Sequence, residues 1–111
     1  MAKLKVNMYG DVAVVELREK ALDASNSEKF KKSIAEILAS QNKVVIDLSR
    51  VDFVDSSGCG ALLSCLKKVG DQGGELKLCG VQKNVERLFE LVRMNRIIDV
   101  FPTSEDAIRN F

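Results

Sequence analysis

Val44-Val45-Ile46, with Leu48 two residues on, is an apolar run without the polar alternation of a strand that faces water on one side. Such a run marks a strand covered on both faces, at the centre of a sheet with helices packed on it. The rest of the chain has to supply those covers. Ahead of the run, Ser25-Asn26-Ser27-Glu28 reads as a capping box, with the Ser25 hydroxyl capping the first turn and Glu28 reaching back. Phe30, Ile34, Ile37 and Leu38 then recur at helical spacing, which predicts a helix from about Asn26 to Ser40. After the run, Leu62, Cys65, Leu66 and Val69 form a second helical stripe that stops at Gly70. Asp71-Gln72-Gly73-Gly74 is the turn into the Leu76-Lys77-Leu78 alternation of another strand.

The flanks follow the same logic. Leu4, Val6 and Met8 alternate with Lys5 and Asn7, and Gly10-Asp11 turns the chain into Val12-Ala13-Val14-Val15-Glu16-Leu17, an opening hairpin. Val85, Leu88, Phe89 and Val92 mark a third helix, Ile97-Ile98-Asp99-Val100 a short strand, and Pro102-Thr103 the start of a last helix. The order β-β-α-β-α-β-α-β-α implies an α/β fold: a mixed, mostly parallel sheet of four to five strands with about four helices. With 111 residues, 46% of them apolar, the chain is expected to form one domain over residues 1–111.

Between the central run and the second helix stands Asp55-Ser56-Ser57-Gly58-Cys59-Gly60, at the exit of the Val51–Val54 segment. Ser56 or Ser57 is placed to cap the second helix, a role worth about 1 kcal/mol that implies no function. Capping does not account for the second serine, nor for Gly58 and Gly60. Glycine in a first helical turn costs about 1 kcal/mol against alanine, so close approach of another backbone, inside the fold or outside it, is the expected reason. The free amides and positive dipole of a helix start also suit an anion, which makes a serine there a candidate phosphoacceptor.

Composition narrows the chemistry. The chain has no histidine, so no Ser-His-Asp triad can be built. A Ser-Lys pair stays open through Lys67 and Lys68, about three helical turns beyond the serines. Seventeen basic and sixteen acidic residues give a formal charge of +1, which favours neither nucleic acid nor an anionic membrane. Cys59, Cys65 and Cys79 are odd in number and lack metal-ligand spacing, so they read as reduced thiols packed in a core. The Gly70–Gly74 loop has neither the lysine nor the spacing of a phosphate-cradling P-loop, and no cofactor is expected. No apolar run nears the ~20 residues that span a bilayer, and Met1-Ala2-Lys3-Leu4-Lys5 has no apolar segment behind it, so a cytoplasmic protein is expected.

The motif Asp55-Ser56-Ser57-Gly58-Cys59-Gly60 resembles the Asp-Ser-Ser/Thr-Gly-x-Gly of the anti-sigma factor antagonists, the single-domain bacterial form of the STAS domain. The Val44–Leu48 strand with Asp47 and Phe53, and the region from Gly73-Gly74 to Leu88-Phe89, extend the resemblance along nearly the whole chain. It implies a regulator without enzymatic activity. By the same resemblance, the serine after the aspartate, Ser56, is the phosphoacceptor of an anti-sigma factor that is also a serine kinase, and a phosphoserine phosphatase reverses the step. The partner surface it implies comprises Asp23, Asp55, Ser56, Ser57, Gly58 and Gly60, with Leu22-Asp23 standing for the acidic residue ahead of the first helix. Two departures are visible: Arg18-Glu19-Lys20-Ala21 lacks the usual glycine and is one residue longer, and Cys59 replaces a frequent leucine. Two other readings use the same residues: an accessory subunit of a transporter ATPase or signalling assembly, and a serine enzyme.

Overall fold

The computed structural model describes residues 3–111. In chain order it has β1 Leu4–Tyr9, β2 Val12–Leu17, β3 Ala21–Leu22, α1 Ser27–Ser40, β4 Lys43–Asp47, β5 Phe53–Val54 and α2 Ser56–Asp71. There follow β6 Glu75–Cys79, α3 Lys83–Leu91, a 3-10 turn Met94–Arg96, β7 Asp99–Phe101 and α4 Ser104–Arg109. Five strands form one sheet in the order β1-β2-β4-β6-β7, in which β1 is antiparallel to β2 and every other pair is parallel. The apolar run thus supplies β4, the middle strand, with Val44, Val45 and Ile46 wholly buried.

Alternation along each strand divides the core in two. On one face Val15, Leu17, Val44, Ile46, Leu76 and Leu78 meet Phe30, Ile34 and Leu38 of α1, Leu62, Cys65 and Val69 of α2, and Phe89 of α3. On the other, Val12, Val14, Val45 and Cys79 lie under Ala107, with Phe101, Ile108 and Phe111 packed against them. The three thiols are free and buried, as their composition suggests.

Several boundaries differ from expectation, each for a local reason. Val51–Val54 is not a strand throughout: the Val51 amide closes a turn onto the Leu48 carbonyl, and only Phe53 and Val54 extend, as β5. They pair with β3, itself unforeseen, in a separate two-stranded parallel sheet. The last strand begins at Asp99, because Met94–Arg96 form a 3-10 turn whose Met94 carbonyl accepts the Ile97 and Ile98 amides. The capping box is absent. Glu28 pairs with Lys31 at 2.8 Å, and the Ser25 hydroxyl donates back to Asp23 Oδ1 at 2.6 Å. Among the described residues no helix is long and apolar enough to cross a membrane.

Candidate functional site

Where β5 ends, Asp55 adopts an extended backbone and takes the N-cap of α2, which corrects the assignment of that cap to Ser56 or Ser57. Its Oδ1 accepts the Gly58 amide at 2.9 Å, the bond a cap should make. Its Oδ2 accepts the Ala24 amide at 3.1 Å, so one carboxylate joins the helix start to the loop between β3 and α1. The Gly58 amide bond, aided by those of Ala24 and Ser57, holds the Asp55 carboxyl below its ordinary range despite partial desolvation. With that duty taken by Asp55, Ser56 and Ser57 fall in the first helical turn, both exposed.

The same arrangement brings Asp23 to the site, because Ala24, its neighbour, is the residue bonded to Asp55. Asp23 Oδ1 accepts the Ser25 amide at 2.9 Å as well as the Ser25 hydroxyl, which folds the loop into a turn. Asn26, read from the sequence only as part of the helix start, braces that turn. Its Oδ1 accepts the Asp23 amide at 2.9 Å, and its Nδ2 donates to Glu19 Oε2 and to the Ala21 carbonyl, each at 2.8 Å. Its side chain thereby ties Glu19 and Ala21 of the Arg18–Ala21 segment to the start of α1. A second tie runs from the Asp52 amide to the Lys20 carbonyl at 2.7 Å.

The two glycines have different duties. A Cβ on Gly58 would lie 2.1 Å from the Leu22 carbonyl oxygen and 2.8 Å from Val54 Cγ1, so its bareness lets α2 seat against the β3–β5 ribbon. Gly60 has nothing within 4 Å of such a Cβ and faces open space. Phe53, on β5 just ahead of the cap, is 52% exposed. Cys59 is buried one turn in, and burial together with the Asp55 charge pushes its thiol up; burial raises Cys65 to about 11 and Cys79 to about 12. None of the three has the lowered pKa of a reactive thiol. The Ser-Lys pairing within α2 fails on distance: the helix is continuous, so Lys67 lies about 16 Å along its axis from Ser56 at 1.5 Å per residue. Its ammonium pairs with Asp71 at 3.3 Å instead.

Comparison with known proteins places the whole chain in a family. The family model for the STAS domain matches residues 3–107. The chain belongs to the STAS domain family. A Thermotoga maritima protein, provisionally named an anti-sigma factor antagonist, is 29% identical over 100 residues, 88% of each chain. The anti-sigma-B factor antagonist of Listeria monocytogenes is 30% identical over 80 residues, covering 71% of this STAS chain and 70% of its own. A crystal structure of a Thermotoga maritima anti-sigma factor antagonist, again a provisional name, superposes with a TM-score of 0.86 at 26% identity, over 96% of this chain and 92% of that one.

Proposed function

We propose that this STAS protein is an anti-sigma factor antagonist working by partner switching, with Ser56 as the switch residue. Unphosphorylated, it binds an anti-sigma factor that is also a serine kinase, and so frees the sigma factor. Phosphorylation of Ser56 breaks that contact and a phosphoserine phosphatase restores it. The observation that carries the reading is the division of labour at the helix start: Asp55 does the capping, which leaves the Ser56 hydroxyl exposed and free for a kinase. Asp23, Asp55, Ser57, Gly58 and Gly60 make up the surrounding partner surface. ATP enters as the kinase's substrate, and the chain itself is a regulator.

The physical basis is charge at an interface. Phosphoserine adds about −1.5 to −2 next to Asp55 and near the Asp23 turn, where a docked partner would have to desolvate it among carboxylates. A loss of ~3 kcal/mol at the contact weakens association more than about a hundredfold, enough for a switch without any change of fold. The helix start tolerates the phosphate well, because its dipole and free amides favour an anion. Incubation with the cognate kinase and ATP is expected to place phosphate on Ser56, read by phosphosite mass spectrometry. Phosphate on Ser57 alone, or none with an active cognate kinase, overturns the assignment. Calorimetry should find Ser56→Ala binding the kinase as tightly as the unmodified chain and Ser56→Asp binding it weakly, with both folded by circular dichroism. If both bind equally well, charge at Ser56 does not govern association, and docking on a transporter ATPase or other assembly becomes the better reading.

A further inference from the structure

The sheet ends, on the side of β1, in an edge that is long and apolar. Val6 is 41%, Met8 49% and Tyr9 52% exposed, whereas only Leu4 of this strand packs against the core. The phase of its hydrogen bonds follows from one contact. The Arg18 amide donates to the Lys3 carbonyl at 2.8 Å, and Leu4 stands opposite Leu17, so the odd-numbered residues 3, 5, 7 and 9 turn their amides and carbonyls toward β2. Those of Leu4, Val6 and Met8 point away from the sheet, where they form a template for another strand.

We propose that β1 is a self-association edge, on which a second copy of this chain pairs antiparallel about a two-fold axis at Val6. The strand is complementary to itself in that register and in few others. Leu4 falls opposite the partner copy's Met8, Val6 opposite Val6, and Met8 opposite Leu4, so all the outward amides and carbonyls are satisfied. The side chains of these residues share the face that carries Val15 and Leu17, and their apolar surfaces become continuous across the axis. Charge agrees. The edge holds Lys3 and Lys5 and no acid from Lys3 to Tyr9, which would set lysine on lysine in a parallel in-register pair. The two-fold register instead sets Lys5 against Asn7 and Lys3 against Tyr9, whose ring can take a cation. A two-fold contact of this kind closes on itself and leaves no free β1 edge.

The experiment is sedimentation of the full chain over a range of concentrations, with cross-linking as the test of register. The chain should show a concentration-dependent monomer–dimer equilibrium. In the proposed register Val6 faces its own copy at about 5.5 Å between Cα atoms, inside the range a disulfide spans. Val6→Cys should therefore form a disulfide-linked dimer on oxidation, while Lys5→Cys, facing Asn7, should not; the three native thiols are buried. Val6→Pro removes an outward amide without touching the β1–β2 ladder, so it should fold normally by circular dichroism and raise the dimer dissociation constant by about tenfold or more. A chain that stays monomeric throughout, Lys5→Cys that cross-links as readily as Val6→Cys, or a dimer unaffected by Val6→Pro would each overturn the proposal.

Discussion

Asp55 and Ser56 are adjacent, yet only Asp55 is built into the fold. Its carboxylate accepts from Gly58 and from Ala24, and the first of these bonds keeps its pKa below the ordinary 3.8. A carboxyl depressed in the folded state adds stability that is present above its unfolded pKa and is lost as pH falls through the folded one. Asp55→Ala should therefore lower the melting temperature at neutral pH, and the gap from the unmodified chain should close as the pH is taken down through the Asp55 carboxyl's range. Thermal melts across pH measure this; a gap independent of pH would mean the carboxylate's charge is not what holds the helix start. Asp23→Asn is the contrasting case. An asparagine oxygen can accept the Ser25 bonds that Asp23 Oδ1 now takes, so the turn should persist with a stability change within ~0.5 kcal/mol, while kinase binding or phosphorylation falls. Unchanged binding and phosphorylation would remove Asp23 from the partner surface.

At the scale of elements, α2 shows what the sequence made legible and what it did not. Its apolar stripe located the helix, but Asp55-Ser56-Ser57 offers three good caps in succession, and residue type alone cannot choose among them. Asp55 is set apart by a second bond, from the Ala24 amide 31 positions away, which a local reading does not reach. The β3–β5 ribbon was missed for a similar reason: two-residue strands have no periodicity to detect. The motif's two glycines looked alike in sequence and separate in space. Gly58→Ala must push against a backbone oxygen and should destabilise by about 1–3 kcal/mol or more. Gly60→Ala meets nothing and should stabilise by roughly 0.4–1 kcal/mol, because alanine loses less backbone freedom in a helix. Denaturant titrations decide both signs. If Gly60→Ala also weakens kinase binding, the open glycine marks where the partner's backbone comes close.

Over the whole molecule, the sheet keeps two faces with separate duties. The helices α1, α2 and α3 cover the face behind the candidate site, and α4 covers the other, where Lys77 is only 4% exposed. Lys77, the polar member of the Leu76-Lys77-Leu78 alternation, lies on the face roofed by α4 and Phe111. Lys77 fits there by its company. Its ammonium lies 4.8 Å from the Phe111 ring centroid and 5.7 Å from that of Phe101, and reaches Glu75 and Asp99 at 3.4 Å each. Both acids are largely exposed, so the ion pairs contribute little, and the packed stem and ring contacts should dominate. Lys77→Met, which keeps the stem's volume, should then cost less than about 1.5 kcal/mol. Lys77→Ala opens a gap beneath the rings and should cost about 2 kcal/mol or more. Hydrogen exchange should find the loss of protection concentrated in α4 and not in α2, since the two helices pack on opposite faces of the sheet. Phosphorylation at Ser56 should accordingly survive Lys77→Ala, and equal loosening of α2 would mean that the two faces are coupled through the central strands.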